Sequence, residues 1–174
     1  MHYSQPRYHD IIPLTKVISP STGIESLPTF QGINPWDGLL YSSNGGNEFF
    51  THEPNGEWTG KTLTLDMGTW PWIQGICFSP NGHMYIATYD PDFLGGVYQF
   101  ITYYSALNGH FLGYIDVNAY EGYNSEELQG ICYADLTAPN GNRVQIHAVV
   151  LENHLFERDD IKFKSFSASQ PEIV

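Results

Sequence analysis

Ile73-Gln74-Gly75-Ile76-Cys77-Phe78-Ser79-Pro80-Asn81-Gly82-His83-Met84-Tyr85-Ile86-Ala87 is the stretch on which the fold turns. An apolar run is followed by an Asn-Gly pair and then by a second apolar run. Asn-Gly supplies the positive φ angles that a tight hairpin needs, so the stretch reads as two antiparallel strands. Downstream, a Gly95-Gly96 turn leads to Val97–Tyr104, and an Asn108-Gly109 turn leads to Phe111–Val117. The expected unit is four strands, Ile73–Phe78, His83–Tyr89, Val97–Tyr104 and Phe111–Val117, in about 45 residues, the size of one propeller blade.

The opening of this unit recurs. Phe30-Gln31-Gly32-Ile33 lies upstream of it and Leu128-Gln129-Gly130-Ile131-Cys132-Tyr133 downstream, so the glutamines stand 43 and 55 residues apart. A period near this length with β-type content is the signature of propeller blades. The first copy predicts strands at Thr29–Ile33, Leu39–Ser43, Glu48–His52 and Lys61–Asp66. The third predicts Leu128–Ala134, Val144–Leu151 and Ile161–Phe166, and then stops one strand short. An extended strand from Asp10 to Ile18 is expected to supply the missing one by pairing the termini. The layout is thus an N-terminal strand and linker at 1–26, blades at 27–70, 71–124 and 125–168, and a tail at 169–174.

Three blades are too few to close a ring, since propellers carry four to eight. Open blade edges invite pairing with another chain. The expected fold is all-β, with about three four-stranded propeller-type blades and a ring completed by a second chain. Membership in a longer polypeptide or assembly, and an irregular β-sandwich of the same strands, are the alternatives. Symmetric closure by identical chains is the commoner route to an oligomer, so a homo-oligomer is the expectation.

Bulk properties narrow the function. The 174 residues carry 7 Lys and Arg against 19 Asp and Glu, a formal charge of −12. That field repels phosphate backbones and anionic lipid, which argues against nucleic-acid and membrane-surface partners. No apolar run is long enough for a membrane-spanning helix. The N-terminus lacks the charged cap and apolar core of a secretory signal, so a cytoplasmic or virion location is expected. The two cysteines, Cys77 and Cys132, fall at the same place in successive copies. Equivalent positions on neighbouring blades should lie too far apart for a disulfide, which predicts free, buried thiols.

The copy around Gln74 resembles the blades of lactonase-type and related repeat propellers: a Gly-hydrophobic strand, an Asn-Gly turn and a Tyr-Ile strand. Phe30-Gln31-Gly32-Ile33 with Leu39-Leu40-Tyr41 is similar to the opening blade of plant-type glutaminyl cyclases. Ser42 stands where that family carries Glu, so the acidic group tied to its chemistry is missing. Gln-Gly strands of this kind also look like those of propeller modules in bacteriophage tail proteins and large bacteriocins. The resemblance spans about Leu27 to Phe166. It implies a fold more than an activity.

No Gly-x-Ser-x-Gly elbow and no His-Glu-x-x-His pair is present. His83 and His147 fall near second strands, where an axial metal would draw on one side chain per blade. Asp90 and Asp92 form a weak calcium candidate, short of the third oxygen ligand and the Gly of a calcium loop. Asn44-Gly45-Gly46-Asn47 reads as a hairpin turn. The aromatic residues are more informative. Trp70 and Trp72 precede the second Gln-Gly, Trp36 and Asp37 follow the first, and Tyr123 precedes the third. If these loops gather at one end, flat rings beside Asn, Asp and Gln suit sugar rings. The competing role for each ring is packing between blades. Gln31, Gln74 and Gln129 either tie neighbouring blades through their amides or line a polar ligand site. The expected function is a non-catalytic, lectin-like module that binds glycan or a protein partner as part of a phage or cell-surface assembly; the alternative is a metal-dependent propeller hydrolase or cyclotransferase. A purely structural role in an assembly is the third reading. No cofactor is required.

Overall fold

The computed structural model describes residues 13–66, 72–91, 97–117, 120–121, 124–137, 141, 143–153 and 160–167. The chain is all-β, and the described residues contain no helix. A short ribbon pairs β1 (Val17–Ile18) with β2 (Glu25–Ser26). Three four-stranded sheets follow. Sheet 1 is β3 (Thr29–Ile33), β4 (Leu40–Ser43), β5 (Glu48–His52) and β6 (Trp58–Thr64), in that order. Sheet 2 is β7 (Trp72–Phe78), β8 (His83–Pro91), β9 (Val97–Ser105) and β10 (Phe111–Asp116), again in chain order. Sheet 3 orders β11 (Tyr120–Glu121), β12 (Asn124–Thr137), β13 (Arg143–Asn153) and β14 (Asp160–Phe166).

Every pairing is antiparallel, and glycine makes the turns. Gly82 in the β7–β8 turn has φ 78° and Gly109 in the β9–β10 turn has φ 75°. Only glycine enters that region at no steric cost.

The sheets stack in series. Tyr41, Phe49 and Leu65 of the sheet 1 region pack against Ile76, Phe78, Met84, Ile86 and Tyr104 of sheet 2. The opposite face of sheet 2 offers Tyr85, Ala87 and Ile101 to Leu128, Ile146, Ala148 and Val150 of sheet 3. Sheet 2 is therefore apolar on both faces, as a middle layer must be. The first long strands, β3, β7 and β12, lie side by side through the stack.

The three Gln-Gly pairs share one structural role. The ladder shifts register between Phe30 and Gly32, between Ile73 and Gly75, and between Leu128 and Gly130. Gln31, Gln74 and Gln129 are thus the extra residues of three β-bulges at equivalent places. The glycine after each bulge is where the next sheet comes close. A Cβ on Gly32 would lie 2.8 Å from Ile76 Cγ1, and one on Gly75 would lie 3.4 Å from the Cα of Gly130.

Two expectations change. The early strand does not complete the last sheet: Val17–Ile18 pairs with Glu25–Ser26, and the fourth strand of sheet 3 is β11, on the edge beside β12. The Ser19–Gly23 turn explains the first, since the Gly23 N–H donates to the Ser19 carbonyl at 2.8 Å and folds the chain back on itself. The cysteines are free, but only Cys77 is partly buried; Cys132 is exposed. Cys77 packs into the core between sheets 2 and 3. Ile131 and Tyr133 point into that same core, so strand alternation turns Cys132 to the other face of β12. Burial, with a smaller contribution from nearby Cys132, pushes the Cys77 thiol up, far from thiolate chemistry.

The segment before sheet 1 lies across the face of that sheet turned away from sheet 2. The Thr15 N–H donates to the Gly56 carbonyl at 3.0 Å, and the Trp58 N–H donates to the Thr15 hydroxyl at 2.8 Å. Glu48, 8% exposed, accepts the Ser19 hydroxyl at 2.6 Å and the Ser21 N–H at 2.9 Å. The Asn44 amide donates to the Ser26 hydroxyl. Burial alone would raise the Glu48 carboxyl; the Ser19 and Ser21 donors outweigh it and hold the group below the usual carboxylate range.

Candidate functional site

In an antiparallel meander the first and third turns lie at one end and the second turn at the other. The β3–β4, β7–β8 and β9–β10 turns therefore share one end, which holds the first cleft. The Asn34–Leu39 turn is tightly specified: the Trp36 N–H donates to Asn34 Oδ1 at 3.1 Å, and the Leu39 N–H donates to Asp37 Oδ1 at 2.9 Å. The Tyr41 hydroxyl donates to Asp37 Oδ2 at 3.1 Å. Burial pushes the Tyr41 phenol up to about 12; the Asn34 hydrogen bond, next in size, lowers it, and smaller contributions from Asp37 raise it, so it stays a donor. This network projects the Trp36 side chain outward, 64% exposed. One edge of the indole rests on the β7–β8 turn, with ring atoms 3.6–3.8 Å from the position of a Cβ on Gly82. The resulting cleft, about 240 Å³, is lined by Asn34, Trp36, Asp37, Gly82, Ala106 and Leu107. Leu107 is 91% exposed at the tip of the β9–β10 turn.

The second cleft, about 430 Å³, lies at the opposite end of sheet 1, where the β4–β5 turn meets the start of β3 and β7. Thr29, Gln31, Ser43, Asn44, Gly45, Ile73 and Gln74 line it. Two bulged glutamines thus face one polar space. Gln74 also reaches the third sheet, its amide donating to Glu127 Oε1 at 3.4 Å. The amide thus ties neighbouring sheets, through a side-chain carboxylate. Gln129 is exposed and does not line the cleft.

Protein families, curated proteins and solved structures yield no match to this chain. The reading of the clefts therefore rests on their own chemistry.

The residues expected to form one site divide between the two ends. Trp36 and Asp37 belong to the first cleft, Gln31 and Gln74 to the second. Trp72 opens β7, at the end opposite Trp36, because the Gln-Gly strands run from one end to the other. Trp70, Tyr123 and Asp92 lie outside the described residues, as does the side chain of Asp90. Among the described residues no group of three His, Cys, Asp or Glu converges as a metal site. His147 is held at both nitrogens, by the Ser165 hydroxyl and the Ala134 carbonyl, each at 2.8 Å. His83 is 1% exposed between Tyr85 and Tyr103, and burial holds it below its ordinary value.

Sequence reasoning missed Asn34, Leu107, Asn44 and Glu127. Asn34 had a visible signal, since Asn two residues before Trp36 is the pattern of an Asx turn. A further pair resembles a nucleophile and its base: Ser42 Oγ lies 2.8 Å from His52 Nε2. His52 Nδ1 donates to the Gly56 carbonyl at 3.1 Å, so Nε2 accepts the Ser42 proton. Both side chains are fully buried, and neither lines either of the two clefts described above. The pair fastens β4 to β5 and to the turn after β5.

Proposed function

We propose that this chain is a propeller-type, non-catalytic binding module that takes a glycan in the Trp36 cleft. The stacked meanders with β3, β7 and β12 side by side support the propeller-type reading. The single observation that carries the ligand class is the Trp36 indole, 64% exposed and fixed by the Asx turn beside Asp37. An indole face covers the C–H side of a pyranose, while the spare lone pairs of Asp37 and Asn34 accept hydroxyl protons. Leu107 supplies an apolar wall opposite. A single shallow site of this kind binds in the millimolar range and gains strength by repetition.

Titration of the chain with a panel of mono- and disaccharides, followed by Trp fluorescence and NMR saturation transfer, tests the reading. At least one sugar binds, and Trp36→Ala weakens it by roughly tenfold, about 1.4 kcal/mol. Absence of any binding at tens of millimolar, or binding unchanged by Trp36→Ala, ends the proposal.

A further inference from the structure

The Trp36 cleft carries a charge that its neighbours leave uncompensated. Among the described residues that line it, Asp37 is the one ionisable group; Asn34, Trp36, Gly82, Ala106 and Leu107 are neutral. The two hydrogen bonds to the Asp37 carboxylate come from neutral donors, the Leu39 N–H and the Tyr41 hydroxyl. They orient the group and leave its charge in place. A carboxylate has about four acceptor sites, so about two stay open to a ligand. Among the described residues no cation pairs with it. Lys16 is paired with Glu25, His110 with Asp66, and Arg143, which opens β13 at this same end, with Asp135. The surroundings add to the negative sign. The β5–β6 turn, the third of sheet 1, lies at this end too, and exposed Glu53 and Glu57 flank it. The whole chain carries −12. An acidic field of this kind concentrates cations at its clefts. Beside the carboxylate stands the Trp36 indole, the strongest of the aromatic faces in holding a cation.

We propose that the glycan taken by this cleft is a cationic amino sugar, its ammonium group held between the Trp36 indole and the Asp37 carboxylate. The inference rests on the glycan reading above and adds the charge of the ligand. The pyranose covers the indole face, and its ammonium sits at the margin beside Asp37. The three N–H donors of an ammonium suit the open lone pairs of that carboxylate. A hydroxyl at the same place offers one donor and no charge, so it gains neither the ion pair nor the cation–π attraction. An acidic sugar is repelled by Asp37 and by the field of the whole chain. At an exposed cleft each of the two attractions is small. Together they favour the amino sugar about tenfold over its hydroxyl counterpart.

Methyl glycosides that differ only at the 2-position test it: the 2-amino, 2-acetamido and 2-hydroxy sugars, in both gluco and galacto configurations. Each is titrated by NMR into the full chain at neutral pH and low salt, where the amine is mainly protonated. In at least one configuration the amino sugar is expected to bind about tenfold more tightly than its two neutral counterparts. Raising NaCl to about 0.5 M should cut that preference to about threefold. Asp37→Asn should bring the three sugars within about twofold of one another. If Asp37→Asn fails to fold, the salt series decides. Tetramethylammonium, which supplies the charge without the sugar, should bind about tenfold more weakly than the amino sugar. A neutral glycoside that binds as tightly as the amino sugar overturns this inference and leaves the glycan reading standing. So does a preference that salt and Asp37→Asn leave intact. Tetramethylammonium bound as tightly as the amino sugar, or no glycoside bound at all, overturns both.

Discussion

His83 and His52 occupy similar burial and opposite circumstances. Both ring nitrogens of His52 are engaged, whereas neither nitrogen of His83 has a hydrogen-bond partner among the described residues. A buried, unsatisfied donor or acceptor costs about 1–3 kcal/mol. His83→Phe, nearly isosteric and placed among tyrosines, is expected to raise unfolding stability by about 1 kcal/mol in a urea titration. His52→Phe should lower it, because Ser42 and Gly56 lose their partner. Both histidines are held below their ordinary value of 6.5 in the fold, by burial first. The unfolded chain therefore takes up protons before the folded one. Stability is full above about pH 7 and falls as pH drops below 6.5. Glu48 adds a second loss. Its folded value is depressed, so its contribution is present above 4.5 and disappears as pH falls further. A melting-temperature series from pH 8 to pH 3 should show this two-part decline, and His83→Phe should flatten its upper part.

At the scale of elements, the joints between sheets are specified by single residues. Asp66, just after β6, donates its N–H to the Gly109 carbonyl and accepts the Phe111 N–H at 2.7 Å. His110 Nδ1 lies 2.5 Å from the same carboxylate. A Cβ on Gly109 would drive into the Thr64 carbonyl, at a φ of 75°. Gly38 has a similar φ of 71° and open space around it. Gly109→Ala is expected to cost roughly 2–4 kcal/mol and Gly38→Ala about 1 kcal/mol, read by urea unfolding. Similar costs for both would show that conformation, not the joint, sets the penalty. The N-terminal ribbon has its own test. Glu48→Ala removes the acceptor for Ser19 and Ser21, and cleavage by a nonspecific protease is expected to appear between residues 13 and 28, while the sheets stay protected.

The strands were largely legible, and the reason is local. Asn81-Gly82 and Asn108-Gly109 announce their turns, and the four strands read around them lie within two residues of β7, β8, β9 and β10. Long-range features left no local trace. Nothing beside Glu48 in sequence shows that it is buried under Ser19, and nothing beside Val17 shows that its partner is Ser26. The division of Trp36 from the start of β7 was recoverable, since strand polarity alone places them at opposite ends. The repeated Gln-Gly was visible as a repeat, but its meaning, a bulge followed by a close approach, exists only once three strands stand side by side. The molecule as a whole should act as one cooperative unit, because sheet 2 belongs to both cores. Trp fluorescence of a Trp70→Phe, Trp72→Phe variant, which reports sheet 1 through Trp36 and Trp58, and labelling of the Cys77 thiol between sheets 2 and 3 in a Cys132→Ser background should therefore report the same urea midpoint. Separated midpoints would mean that the sheets unfold one by one.

The segment across sheet 1 bears on how the chain is made. Synthesis delivers the ribbon first, then each sheet in the order in which it stacks. When sheet 1 emerges, its outer face can be closed at once by residues already present, leaving one sticky face. Sheet 2 covers that face and presents another, and sheet 3 does the same. A nascent chain built this way never exposes more than one apolar face at a time, and no early strand has to wait for a late partner. Such vectorial growth keeps loop-closure costs low and limits the window for aggregation.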